Sequence, residues 1–342
     1  MGNDKVLHGR KKGFLKDSSI YRPSDFWIKL NDIHQKQLML AGFKNFKRSI
    51  NMKYFNWSTL GILAHQGHLI INQIKRGNWQ PIFKSNFFNY KSKSRSAVYR
   101  FNPISAFIYK TFVAAYMDYL QGVDKQNIFK KISEPKIGNP FLISYRDKKI
   151  SQDLCNSVHE FYSITNPLEK TKKLRILEIG AGYGRLGYIF LNQLRDCSYC
   201  IIDIPPALFV AQKYLTKVFP REKFFHFRSF NSFKKVKKEF ESARISFLNA
   251  DRIELLPDNY FDLVINVSSL HEMTREQINN YFRQINRICR GYFYTKQWRK
   301  SRTSDNNYIS EGDYPRHARW NTIFQRQHPI QKMFFEALYK IL

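Results

Sequence analysis

The sequence predicts an α/β protein: a largely parallel sheet with helices on both faces, preceded by a mainly helical N-terminal region. Three observations lead there. After Pro167 short apolar runs alternate with helical stretches, as strands joined by crossover helices require. From Tyr21 to about Leu120 the apolar residues instead recur at three and four positions, the helical period. Between the two textures lie Pro135, Pro140 and a turn-rich connector, "SEPKIGNPF" (Ser133–Phe141). Residues 1–20 read as a flexible N-terminus, 21–168 as a helical cap domain and 169–342 as the α/β domain, with the boundary near 165–172.

In chain order, "FKNFKRSINMKYFNW" (Phe43–Trp57) and "ISAFIYKTFVAAYMDYL" (Ile104–Leu120) carry helical spacing, and Pro81 and Pro103 punctuate this region. "ISQDLCNSVHEFYSI" (Ile150–Ile164) reads as one more helix, with Ser151 as N-cap. The expected strands are Arg175–Ile179, Tyr199–Ile204, Ile245–Leu248, Phe261–Val267 and Gly291–Thr295. The helices between them are Gly184–Leu194, Ala207–Val218, Phe233–Ala243 and Arg275–Cys289. "FKKVKKEF" (Phe233–Phe240) is a solvated helix face.

The chain has 342 residues, 43% of them apolar and 16% aromatic, enough for sizeable cores. Its net charge of +30 is spread over both halves, so there is no single basic arm. Such a surface favours anionic partners such as phosphates, acidic glycans, nucleic acid or a lipid face; an AT-rich coding bias is the plain alternative. Four cysteines in this length make no disulfide framework, and the lone CxxC of Cys197 and Cys200 reads as core residues. The N-terminus has no apolar signal core, and "MGNDKV" places Val6 where a myristoylation signal wants Ser or Thr. A cytoplasmic protein follows, with peripheral membrane association allowed.

Chemistry concentrates in "LRILEIGAGYGRLGYIF" (Leu174–Phe190). Gly180, Gly182 and Gly184 follow a strand directly, so the backbone can turn tightly and a ligand can lie against it and the next helix N-terminus. Glu178, two residues earlier, would repel a pyrophosphate and welcome an ammonium group. Asp203 ends the next strand, with Ile204 beside it, where a carboxylate accepts both ribose hydroxyls. Asp251 follows the third strand, placed to accept from an exocyclic amine. Ammonium, diol and amine are matched in order by successive strand ends, and S-adenosylmethionine carries all three.

Over residues 170–300 the chain thus resembles the class I S-adenosylmethionine-dependent methyltransferases, whose sheet is Rossmann-like. "EIGAGYGRLGYIFL", "DIPPALFVAQKYLTKVFP", "SSLHEMT" and "YFYTKQW" resemble a bacterial sugar O-methyltransferase family. "KRSINMKYFNW", "EPKIGNPF" and "ISQDLCNSVHE" extend that resemblance upstream, so it covers most of residues 40–340. It implies a helical cap working with the sheet, a sugar, nucleotide-sugar or glycan acceptor, and a place near the cofactor for Ser151 and Gln152; the positive charge suits an anionic acceptor.

A hydroxyl acceptor benefits from a general base. "SSLHEM" follows the fourth strand, so His271, with its near-neutral intrinsic pKa, is the expected base. Glu272 would orient it, bind a sugar hydroxyl or help hold a divalent ion; the alternative has His271 packing the strand end or capping the next helix. A metal would need Glu311 or Asp313 to join Glu272, and the spacing does not demand it, so no metal ligands are predicted. Arg185 either reaches the cofactor's carboxylate or pairs with a surface acid. Within Asp305–Trp320, Tyr308, Tyr314, Arg316, His317 and Trp320 form an expected acceptor lid, or else a plain surface loop. Nucleic-acid methylation is an alternative that the positive charge permits, but no specific nucleic-acid partner is predicted, since "NVSSLHE" stands where amino-directed nucleic-acid enzymes often carry an Asn/Asp-Pro-Pro-aromatic signature. A non-catalytic cofactor-binding subunit remains the alternative from another class.

Overall fold

The structure is a computed structural model that describes residues 20–48, 59–88, 98–145, 147–169 and 173–342. The flexible N-terminus read for residues 1–20 lies outside the described residues except for Ile20, as does the 49–57 part of the Phe43–Trp57 segment.

The N-terminal half holds helices α1 (Asp25–Ala41), α2 (Thr59–Gln66), α3 (His68–Lys75), α4 (Gln80–Phe83), α5 (Pro103–Gln121), α6 (Ile128–Lys131) and α7 (Gln152–Thr165). Strands β1 (Asn86–Phe88), β2 (Leu142–Tyr145) and β3 (Lys148–Ile150) form a small antiparallel sheet that helical periodicity did not signal. Phe43–Arg48 is a 3₁₀ turn. Helix α5 starts where Asn102 accepts from the Ser105 N–H at 2.7 Å and Pro103 needs no donor, and it is buried along most of Tyr109–Leu120.

Helix α7 begins as expected at Ser151, whose Oγ accepts from the Leu154 N–H at 3.0 Å. The same hydroxyl donates to Glu134, which also takes the buried ammonium of Lys47. That ammonium lies 4.4 Å from the Tyr183 ring and 4.6 Å from the Tyr214 ring. Nearly every residue of α7 is buried, because it packs between α5 and the Arg185–Gln193 helix of the α/β half.

The α/β half runs β4 (Leu174–Ile179), α8 (Arg185–Gln193), β5 (Cys197–Asp203), α9 (Pro205–Val218), β6 (Phe224–Phe225), α10 (Phe233–Ser242) and β7 (Ile245–Asn249). It continues with β8 (Phe261–Val267), α11 (Arg275–Ile288), β9 (Cys289–Trp298), β10 (Lys300–Arg302), β11 (Tyr308–Ser310), β12 (Asn321–Gln327) and β13 (Phe334–Lys340). The expected strands and helices between 174 and 298 all form, within a few residues at their ends.

Eight strands make one sheet in the order β12-β13-β9-β8-β4-β5-β7-β6. All pairings from β9 to β6 are parallel, while β13 runs antiparallel to β9 and to β12. The result is a Rossmann-like α/β sheet. The terminal strands escaped sequence reading: β12 is an exposed edge, and Glu336 interrupts the apolar run of β13. That carboxylate is fully buried and accepts from Tyr294 Oη at 2.9 Å and Arg326 Nε at 2.8 Å.

One face of the sheet packs on α7, α8 and α9 and continues into the N-terminal helices through Phe112, Val113 and Tyr116, so both halves share one core. The other face packs on α10 and α11. Cys197 belongs to the first face and Cys200 to the second, and both thiols are free and buried. Strand alternation therefore points them apart, which suits core residues and not a metal or redox pair.

Candidate active site

After β4 the chain moves outward to β5 and β7, then returns to place β8 on the other side of β4. Strand order reverses at β4, and open α/β sheets bind ligands beyond the carboxyl ends of the strands at such a point. A cavity lies there, lined by the 178–183 turn, Asp203, Ile204 and the segment after β8.

The turn exists because its glycines adopt left-handed backbone: φ is +72° at Gly180, +60° at Gly182 and +82° at Gly184. At Gly180 a side chain is also excluded, since a Cβ would stand 2.3 Å from Ser269 Oγ. Gly180 and Gly182 line the cavity, whereas Gly184 sits behind them as the N-cap of α8.

Glu178 and Asp203 both reach the cavity wall. Glu178 is 3% exposed and accepts from Tyr199 Oη at 2.7 Å. Burial pushes its carboxyl up to about 8, against the pull of that hydrogen bond and of Arg185. Asp203 accepts from the Gly182 N–H at 2.8 Å and the Ile204 N–H at 2.7 Å, yet burial still raises it to about 7. Two carboxyls held above their ordinary range by burial, side by side on one cavity wall, are the mark of a candidate ligand site.

Asp251 does not line the cavity. Its neighbour Ala250 does, while one Asp251 oxygen pairs with Arg252 at 2.9 Å and the other is buried without a hydrogen-bond partner. Ser151 and Gln152 are also absent from the wall; the cap network with Glu134 holds Ser151 back. The next residue of α7, Asp153, and Asn156 about one turn further on take that place. Asp153 accepts from Tyr183 Oη at 2.6 Å, and Asn156 Oδ1 is a buried acceptor with no partner.

Arg185 lines the cavity but is committed to Glu160, with contacts of 2.6 and 2.9 Å, and also donates to Ser157. Lys296 of β9 joins the same carboxylate at 2.9 Å and donates to Gln331. Burial alone would raise Glu160, but the two cations overcome it and bring the carboxyl down to about 2. Of the two roles open to Arg185, pairing is the one seen, with a fully buried acid.

The base assignment needs correction. His271 is buried and off the cavity wall, boxed by Trp298 and Phe334 with ring centroids 5.7 and 6.3 Å away. Its Nδ1 lies 3.0 Å from Gln297 Oε1, and because Gln297 Nε2 donates to Asn266 and Thr295, that oxygen accepts. Nδ1 therefore carries the hydrogen, and Nε2 faces Glu272 Oε1 at 3.7 Å. Burial lowers the imidazole to about 4, so it is neutral at neutral pH. Glu272 is the member on the wall, and burial followed by the Asp203 charge raises its carboxyl to about 8.

The expected lid is corrected too. Tyr314 and Trp320 are core anchors, stacked around Phe282, Phe293 and Phe335, while Tyr308, Arg316 and His317 are exposed and off the wall. The cavity's cover comes instead from Tyr21–Trp27, a segment the sequence did not flag. Gln277 Nε2 donates to the carbonyls of Ile20 and Arg22 at 2.9 and 2.8 Å, and Tyr21 Oη donates to Glu254 at 3.0 Å.

Glu311 pairs with Arg299 and Asp313 accepts from Ser310, so neither joins Glu272. Among the described residues His159, His328 and Glu336 do cluster. However, His328 Nδ1 accepts from the N–H groups of Ile330 and Gln331, which leaves a hydrogen, not a lone pair, on Nε2.

No known family profile matches the chain, and no curated protein matches its sequence. Among solved structures it is similar to an S-adenosylmethionine-dependent methyltransferase from Aquifex aeolicus, at 16% identity and a TM-score of 0.33, over 56% of this chain and 90% of that one. It is also similar to the glycopeptide N-methyltransferase MtfA in complex with S-adenosylmethionine, at 12% identity and a TM-score of 0.35, over 54% and 86% of the two chains.

Proposed function

We propose that this chain is an S-adenosylmethionine-dependent O-methyltransferase that acts on a hydroxyl of a sugar, either nucleotide-linked or part of a glycan. The observation that carries the reading is the pair Glu178 and Asp203 on one cavity wall at the sheet's switch point. Asn156 Oδ1 adds an unpartnered acceptor to that wall. An ammonium beside Glu178 and Asn156 and a ribose diol on Asp203 satisfy what the protein alone leaves unsatisfied. A pyrophosphate would meet two carboxylates instead.

The bound cofactor supplies a methyl group already activated on a sulfonium. The chain contributes position and proton handling. Glu272 is the residue placed to take the acceptor's hydroxyl proton on its carboxylate, since it stands on the wall near Asp203. His271 is a positioning residue: it backs Glu272 through Nε2 and is itself held by Gln297. Tyr21–Ser24 and Trp27 complete the cavity wall from the N-terminal side. Trp27 and Phe334 bring aromatic faces to the wall, which suits stacking on a sugar ring, and the net charge of +30 suits an anionic acceptor.

The test is titration calorimetry with S-adenosylmethionine, followed by transfer of its labelled methyl group to a panel of nucleotide sugars, glycan extracts, amines and RNA. Cofactor binding with label on a sugar hydroxyl is the expected result. Label confined to amines or RNA overturns the acceptor class, and no heat with the cofactor overturns the whole reading.

A further inference from the structure

Among the described residues, thirteen large apolar side chains are exposed, and ten of them fall between Ile33 and Phe107. The most open are Phe83 at 78%, Leu40 and Ile104 at 73%, and Phe107 at 58%. Ile71 and Ile74 stand three residues apart on α3, and Ile104 and Phe107 likewise on α5, so each pair shares one helix face turned to solvent. Isolated exposed apolar residues are ordinary; their concentration in one part of the chain is not.

The same part of the chain has a second peculiarity. Between Asp32 and Asp118 there are thirteen Lys and Arg and no Asp or Glu. Lys36, Lys44, Lys75, Arg76, Lys84 and Arg100 are exposed among the apolar side chains, and Lys110 lies 5.4 Å from the Phe107 ring. Among the described residues no helix is long and apolar enough to cross a membrane. Short helices that expose apolar faces, in a stretch whose own charged residues are all cations and whose bordering Asp118 carboxylate is taken up by Gln73 and Asn78, are suited to lie at a bilayer interface. There the apolar side chains enter the acyl boundary and the cations meet lipid phosphates.

We infer that the exposed apolar and cationic side chains of the described residues between Ile33 and Lys110 form a docking surface for an anionic lipid bilayer. The apolar members decide between lipid and nucleic acid, the other polyanion. They are mostly Ile, Leu and Met, which gain nothing from phosphates and little from base stacking, but gain from acyl chains. The surface does not include the cavity wall at Glu178, Asp203 or Glu272, so the inference stands apart from the methyl-transfer reading.

The experiment is cosedimentation of the full chain with phosphatidylcholine vesicles, with and without phosphatidylglycerol. Binding to the anionic vesicles alone is expected. The combined variant Phe83→Ser, Ile104→Ser and Phe107→Ser should weaken it at least about tenfold. Charge reversal at Lys75, Arg76 and Lys84 should weaken it as well, and more so at low salt. Trp79, 41% exposed, gives a second readout: an emission shift on adding vesicles that is lost in Trp79→Phe. The inference is overturned if no vesicle binds. It is also overturned if the apolar variant binds vesicles as the parent does, or if RNA removes the chain from vesicles and binds both proteins equally.

Discussion

Tyr199 on β5 donates a hydrogen bond of 2.7 Å to Glu178 on β4, and this phenol is the hydrogen-bond donor that the structure gives the carboxyl. The arrangement holds a buried acid at the cavity wall with a phenol, not a cation, as its hydrogen-bonded neighbour.

Glu178 has a folded value of about 8 against an ordinary 4.5. A raised folded value means its contribution to stability is full below about pH 4.5 and is lost as pH rises to about 8. Asp203 and Glu272 add to the same slope, from their own raised values of about 7 and 8. Glu178→Gln should therefore make the ligand-free melting temperature fall less steeply between about pH 5 and 8. S-adenosylmethionine binding at neutral pH should release a proton, seen as buffer-dependent heat in calorimetry. The variant should lose that release and bind at least about tenfold more weakly.

Gly180→Ala should cost at least about 1–2 kcal/mol from left-handed backbone alone, read from urea unfolding. The added Cβ also collides with Ser269. Adding Ser269→Gly should recover the collision part and leave the backbone part. Equal stability of the single and double variants would contradict that division.

Glu160→Gln leaves Arg185 and Lys296 buried beside a neutral amide. The expected loss is about 3–5 kcal/mol in denaturant unfolding. The Glu160 carboxyl has a folded value of about 2, below its ordinary 4.5, so its contribution is present above pH 4.5 and disappears as pH falls toward 2. The variant should lack that acid limb.

Glu272→Gln should lower the methyl-transfer rate by about 10²–10⁴-fold, with cofactor affinity nearly unchanged. In the parent the rate should rise with pH toward about 8 as the carboxyl ionises, and the variant should lose this rise. His271→Ala should give a smaller loss and keep a rising, shifted profile. A parent-like profile in Glu272→Gln would remove the proton role from this residue.

The sequence disclosed what short-range patterns encode. The apolar run of β4, the glycines behind it and the acid ending β5 lie within thirty residues, and each is set by local backbone needs. Asp153, Asn156 and the Tyr21–Trp27 cover left no local mark, because their positions follow from packing of α7 and from bonds to Gln277 and Glu254, far along the chain. His271 was readable as a histidine after β8 but not as one facing inward, since Gln297 sets that direction from the next strand. Tyr314 and Trp320 looked like lid residues because their neighbours are polar. Their partners Phe282 and Phe293 lie on other elements, where no window of sequence sees them.

The clasp between Gln277 and the backbone at Ile20 and Arg22 joins stretches more than 250 positions apart. During synthesis, the leading stretch must wait for most of the chain to emerge from the ribosome before its latch is made. A nascent or prematurely terminated polypeptide that stops short of α11 has no partner for that latch.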